Sequence, residues 1–130
     1  MLHITGLFAS LFGLLVIILA YKVVVFRRTK KVGLGDNGDM QGQLVIRTHA
    51  NAVEYLPLLL ILMGIYEING GNHLVLYVFG VLSFIGRIWH AFGLSKSAGV
   101  SSGRFYGTAL TWLTIVVFAV LNMINFALNL

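Results

Sequence analysis

Four apolar stretches, each near the ~20 residues a helix needs to cross a bilayer core, govern what this chain can become. They run from about Ile4 to Phe26, Leu44 to Ile68, His73 to Leu94 and Phe105 to Asn129, and Lys22 alone interrupts the first. A segment surrounded by lipid must satisfy its own backbone hydrogen bonds, which selects helices. The expected fold is an all-α membrane protein, a four-transmembrane-helix bundle forming a single domain over residues 1–130.

Composition leads the same way. Apolar residues make up 58% of the chain and charged residues 10%, against about a quarter charged in soluble domains. A soluble domain of 130 residues leaves too large a share of its surface in water to hide so much apolar area. The first stretch is not read as a signal peptide. It lacks a basic leader, its apolar core is too long, and its charges follow it.

The loops set the orientation. Arg27, Arg28, Lys30 and Lys31 follow the first stretch, Lys96 lies in the third loop, and Arg104 comes just after it. The second loop, Asn69-Gly70-Gly71-Asn72, carries no charge. Basic residues mark cytoplasmic loops, so loops one and three are expected in the cytoplasm and both termini on the other side. The net charge of +5 then reflects topology, and no nucleic-acid partner is expected.

Two local patterns carry nothing. Gly33-Leu34-Gly35-Asp36-Asn37-Gly38 matches G-x-G-x-x-G by letter, but no strand precedes it and no βαβ unit contains it. Asp36 and Asp39 lack the spacing of a calcium loop. His3 and His73 fall on the outer side and cysteine is absent, so no metal site is expected. Any thiol chemistry needs a thiol brought by the substrate.

Ionisable groups inside lipid are costly and need a partner or a task. The second stretch opens with Arg47-Thr48-His49-Ala50-Asn51-Ala52-Val53-Glu54-Tyr55-Leu56-Pro57. Helical spacing puts Arg47, Asn51 and Glu54 on one face, with His49 pointing away. The third ends in Gly86-Arg87-Ile88-Trp89-His90, where Arg87 and His90 share a face. Asn51, Glu54 and Arg87 fall at similar depth and are expected to meet, with Arg27 and Arg104 at the rim. Several arginines around one carboxylate suit a small anionic ligand. A plain Glu54–Arg87 ion pair locking two helices is the competing reading. Asn122, Asn125 and Asn129 form an amide stripe suited to helix packing, and Pro57 is expected to kink its helix.

The segment Arg47 to Pro57 resembles the signature R-x-H-x-N-x-x-E-[YF]-x-P of the MAPEG family (membrane-associated proteins in eicosanoid and glutathione metabolism). Gly86 to His90 resembles its second block, G-R-x-x-H. The layout agrees along nearly the whole chain and is most similar to the small prokaryotic branch. The resemblance implies a homotrimer in the bacterial inner membrane, with glutathione as co-substrate bound between neighbouring subunits on the cytoplasmic side. Arg47, Asn51, Glu54 and Tyr55 match positions that hold the tripeptide. Arg27 matches an arginine ending the first helix, and His90 a position lining the pocket. Arg104 resembles the arginine that stabilises the thiolate, with Ser101 or Ser102 as weaker donors.

The activity so implied is a transferase or peroxidase acting on lipophilic electrophiles or lipid hydroperoxides that arrive through the bilayer. Eicosanoid-synthesising members carry a tyrosine about a turn beyond the third-helix histidine, where this chain has Leu94, and Tyr106 is the nearest fourth-helix tyrosine. That departure argues against an eicosanoid synthase. The alternatives are a non-catalytic lipid-binding or scaffold protein on the same fold and, third, a small multidrug exporter. The exporter needs a carboxylate within the first helix, and none lies between Leu2 and Phe26.

Overall fold

The computed structural model describes residues 1–96 and 102–129. They form four helices: α1 (His3–Lys30), α2 (Met40–Ile68), α3 (His73–Lys96) and α4 (Ser102–Leu128). Each is long and apolar enough to cross a membrane. The third loop falls mostly outside the described residues, and so do the side chains of Leu94 and Lys96.

The helices overrun the apolar stretches mainly at the basic end. Lysine and arginine propagate a helix well, so α1 continues through Arg27 and Arg28 to Lys30. It stops at Lys31, which adopts a left-handed conformation with φ 55°. Asp39 starts α2 by accepting hydrogen bonds from the N–H groups of Gln41 and Gly42, a cap that frees helix growth to begin before the first apolar residue. Lys30 and Asp39 close the loop with an ion pair of 2.9 Å. The glycine-rich segment between them is a connector, with Gly35 and Gly38 at positive φ. At the other end Asn72 caps α3 through its Oδ1, which accepts from Leu74 and Val75. Pro57 sits inside α2 without ending it.

Packing places α1 and α4 on opposite flanks of the α2–α3 pair, with no contact between them among the described residues. Phe8, Phe12, Leu59, Met63, Leu76 and Phe118 form the core. Phe118 is flanked by the rings of Tyr66 and Phe79 at 5.5 and 6.0 Å between centroids. Polar groups join the helices where lipid would leave them unsatisfied. Ser83 donates to Thr114 across α3 and α4 at 2.7 Å. Asn122 of the amide stripe donates to the Leu62 carbonyl of α2 at 3.0 Å, the packing role expected for it. Outside this core, Leu14, Ile17, Ile61, Ile85 and Phe126 are among many large apolar side chains turned outward, as suits a lipid solvent.

Candidate functional site

At the basic end the polar stripe of α2 lies along its seam with α3. Arg87 enters that seam from α3 and is almost wholly buried, at 2% exposure. Its Nη1 donates to Asn51 Oδ1 at 2.6 Å, and its guanidinium lies over the Tyr55 ring, 5.2 Å from the centroid. Asn51 and Tyr55 are one turn apart on α2, so a single arginine reads both. Tyr55 is backed in turn by Trp112 of α4, at 6.3 Å. Arg87 Nε and Nη2 are buried without a partner among the described residues.

Glu54 does not join Arg87, which corrects the ion pair considered from the sequence. It sits on the outer edge of the same stripe and pairs with Arg47, two turns away, at 3.4 Å. The side chains of Arg47 and Glu54 remain 57% and 49% exposed. Residues 47, 51 and 54 do share a stripe, but the seam divides it: Asn51 and Tyr55 turn inward to Arg87, while Arg47 and Glu54 turn outward. Glu54 lies about 20 Å along α2 from Met40, well within the span.

Arg104 is brought to the cluster by a contact between α3 and α4 that sequence reasoning passed over. Gly103 and Gly107 are spaced as G-x-x-x-G, the small-residue pattern that lets membrane helices approach closely. A Cβ on Gly103 would come within 2.6 Å of the Trp89 carbonyl oxygen. One on Gly107 would strike the Gly86 carbonyl and stand 2.6 Å from His90 Cβ. The start of α4 is thereby pressed against Gly86–Gly93, which brings Arg104 to the end of α3 that carries the buried His90. Tyr106 stacks on Trp89 at 5.7 Å. Ser102 is exposed at the start of α4, while Ser101 lies outside the described residues.

Arg27 stands apart from this cluster. It is half-buried on α1, where it lines a recess of about 400 Å³ together with Val24, Arg28, Lys31, Val32 and Gly33. Its Nε is buried and has no hydrogen-bond partner among the described residues. His49 is half-buried on α2.

The sequence also gave no warning of the role of Glu67. This buried carboxylate at the far end of α2 accepts the N–H groups of Ile4 at 2.8 Å and Thr5 at 2.7 Å. It therefore caps α1 from another helix. The available signal was an acid beside an uncharged loop, with no basic residue near to explain it.

Four helices long and apolar enough to span a membrane, with the buried guanidinium of Arg87 set between α2 and α3, define an integral membrane protein. Residues 5–124 match the MAPEG family. The chain belongs to that family. It is 31% identical to "Inner membrane protein YecN" of Escherichia coli strain K12 over 120 residues, which cover 92% of this chain and 90% of the relative. The protein of the same name from Escherichia coli O6:H1 matches with the same identity and coverage. Those relatives are inner-membrane proteins by name, which together with the four apolar helices assigns this chain to the inner membrane.

Proposed function

We propose that this chain is a glutathione-dependent membrane transferase or peroxidase that conjugates or reduces lipophilic electrophiles or lipid hydroperoxides. The observation that carries the reading is the buried guanidinium of Arg87, held by Asn51 and Tyr55 one turn from the buried His90, with no carboxylate paired to it among the described residues. Cationic groups in low dielectric attract an anion strongly, and glutathione offers carboxylates and an ionisable thiol. Arg47, Asn51, Glu54, Tyr55, Arg87, His90 and Arg27 hold the tripeptide in this reading, at the cytoplasmic side, and Arg104 favours the thiolate.

The outward Arg47–Glu54 pair supports the homotrimer. A charged pair so deep in the span is costly against hydrocarbon, and a second copy packed on this face of α2 would cover it. The tripeptide would then be shared between neighbours.

In the reaction, the thiolate attacks an electrophilic carbon. With a chlorodinitrobenzene, the carbon–sulfur bond forms, chloride leaves and the thiol proton passes to solvent. Purified protein with glutathione and this substrate should form conjugate, and Arg104→Ala should slow it at least tenfold at neutral pH, as expected when a thiol loses its cationic neighbour. Absence of both conjugation and glutathione binding favours the non-catalytic lipid-binding reading, toward which the leucine at position 94 leans.

A further inference from the structure

A second site lies on the other side of the bundle, between α1 and α3. The two helices touch near the end that carries the N-terminus. There Phe8 lies so close to Gly80 that a Cβ would strike its ring, and Phe12 meets Phe84 edge-on at 5.6 Å. Toward the basic end they part. Leu11, Leu15 and Ile18 on one wall face Phe84, Ile88 and Ala91 on the other, across a cleft of about 310 Å³. Every lining side chain is apolar except Lys22, at the basic end of the cleft.

Lys22 is exposed on α1 and lies four residues inside the last apolar residue, Phe26, about 6 Å along the helix. An ammonium at that depth needs an anion or a route to the surface. The chain cannot supply the anion. It has four acidic residues. Asp39 is paired with Lys30, Glu54 with Arg47, and Glu67 caps α1 at the opposite end. Asp36 accepts from Gly38 within the connecting loop. A second copy packed into the cleft would bring no spare carboxylate to this depth either, so the charge calls for an anion of another kind.

We propose that the α1–α3 cleft binds an anionic phospholipid, with one acyl chain lying between the helices and the acidic head group on Lys22. The dimensions agree. From Leu11 to Lys22 is about 16 Å along α1, a length similar to the half-thickness of a ~30 Å hydrocarbon core that one acyl chain fills. Phe84 lines the deep end of the cleft and packs edge-on against Phe12. The site is separate from the Arg87 cluster and does not depend on glutathione.

Native mass spectrometry tests this on the full chain, equilibrated in detergent with equal dioleoyl phosphatidylglycerol and dioleoyl phosphatidylcholine. The wild type should retain phosphatidylglycerol in about fivefold excess, the preference of one lysine for an anionic lipid. Lys22→Gln should bring the ratio near parity, and Lys22→Arg should keep it. Ala91→Phe, which fills the cleft, should reduce retention of both lipids. Arg28→Gln, about 120° round α1 from Lys22, should leave the ratio unchanged. Parity in the wild type, an unchanged ratio in Lys22→Gln, or an equal loss in Arg28→Gln overturns the proposal. The chain has no cysteine, so Ile18→Cys carries a single thiol. Oxidative cross-linking of that variant into dimers would assign the cleft to a second copy and also overturn it.

Discussion

Arg87 gives its hydrogen bond to Asn51, 2.6 Å away, and leaves Glu54 to Arg47. A neutral amide fixes the guanidinium without cancelling its charge, which a carboxylate would do. The guanidinium is thus orientated by protein while its charge stays unpaired by any carboxylate among the described residues.

A double-mutant cycle follows from that pairing. Asn51→Leu strands a buried donor, and Arg87→Met strands a buried acceptor. Each should lower stability in detergent by about 1–3 kcal/mol. The double variant should cost less than the sum, because both partners of the bond are then gone.

The carboxylate of Glu67 serves two N–H groups of α1 at once. Glu67→Gln keeps one acceptor and turns an N–H₂ toward the second donor, so it should cost nearly as much as Glu67→Ala. We expect about 1–3 kcal/mol for either, read as a lowered thermal midpoint. Hydrogen exchange should rise first at the start of α1, since local opening tracks the lost cap.

Gly107 has no room for a methyl group against Gly86 and His90. Gly107→Ala must therefore push the start of α4, with Arg104, away from α3. The expected result is lower stability together with weakened glutathione binding by calorimetry. Gly6→Ala, where a Cβ meets nothing within 4 Å, is the control and should leave binding unchanged.

Lys30 and the backbone N–H of Gly42 hold the Asp39 carboxyl below its ordinary range. A depressed folded-state value means that the stabilisation is complete above the unfolded value, about 3.9, and is lost as pH falls through the folded one. The thermal midpoint should therefore drop below about pH 4, and Asp39→Asn should flatten that part of the slope.

The spans were readable because lipid demands long uninterrupted apolar runs, and that demand is local. α3 was expected from His73, where it begins. The basic ends were misjudged because Arg27 to Lys30 continue a helix beyond the apolar core, which a hydropathy boundary cannot register. Within the site, the shared stripe of Arg47, Asn51 and Glu54 was visible in the spacing. Which member faces Arg87 was not, because that depends on how α2 rotates against α3. Rotation is set by distant packing such as Phe26 against Gly42 and Asn122 against Leu62. Glu67 was missed for a related reason: its partners are backbone groups more than 60 residues away, and no side-chain pattern marks a backbone donor.

The ionisation of bound glutathione offers the sharpest test of Arg104. A free thiol titrates near pH 8.5, and a guanidinium nearby favours the thiolate, lowering that value by about one unit or more. Conjugation by the wild type should therefore rise with pH and level off well below 8.5, because the thiolate is already formed. In Arg104→Ala the plateau should move upward toward the free-thiol value, so the rate deficit is greatest at neutral pH and narrows in alkali. Arg104→Lys should restore part of the shift, since charge is the requirement and not the planar fork. Coincident profiles for wild type and Arg104→Ala would remove Arg104 from thiol activation and leave it a role in binding alone.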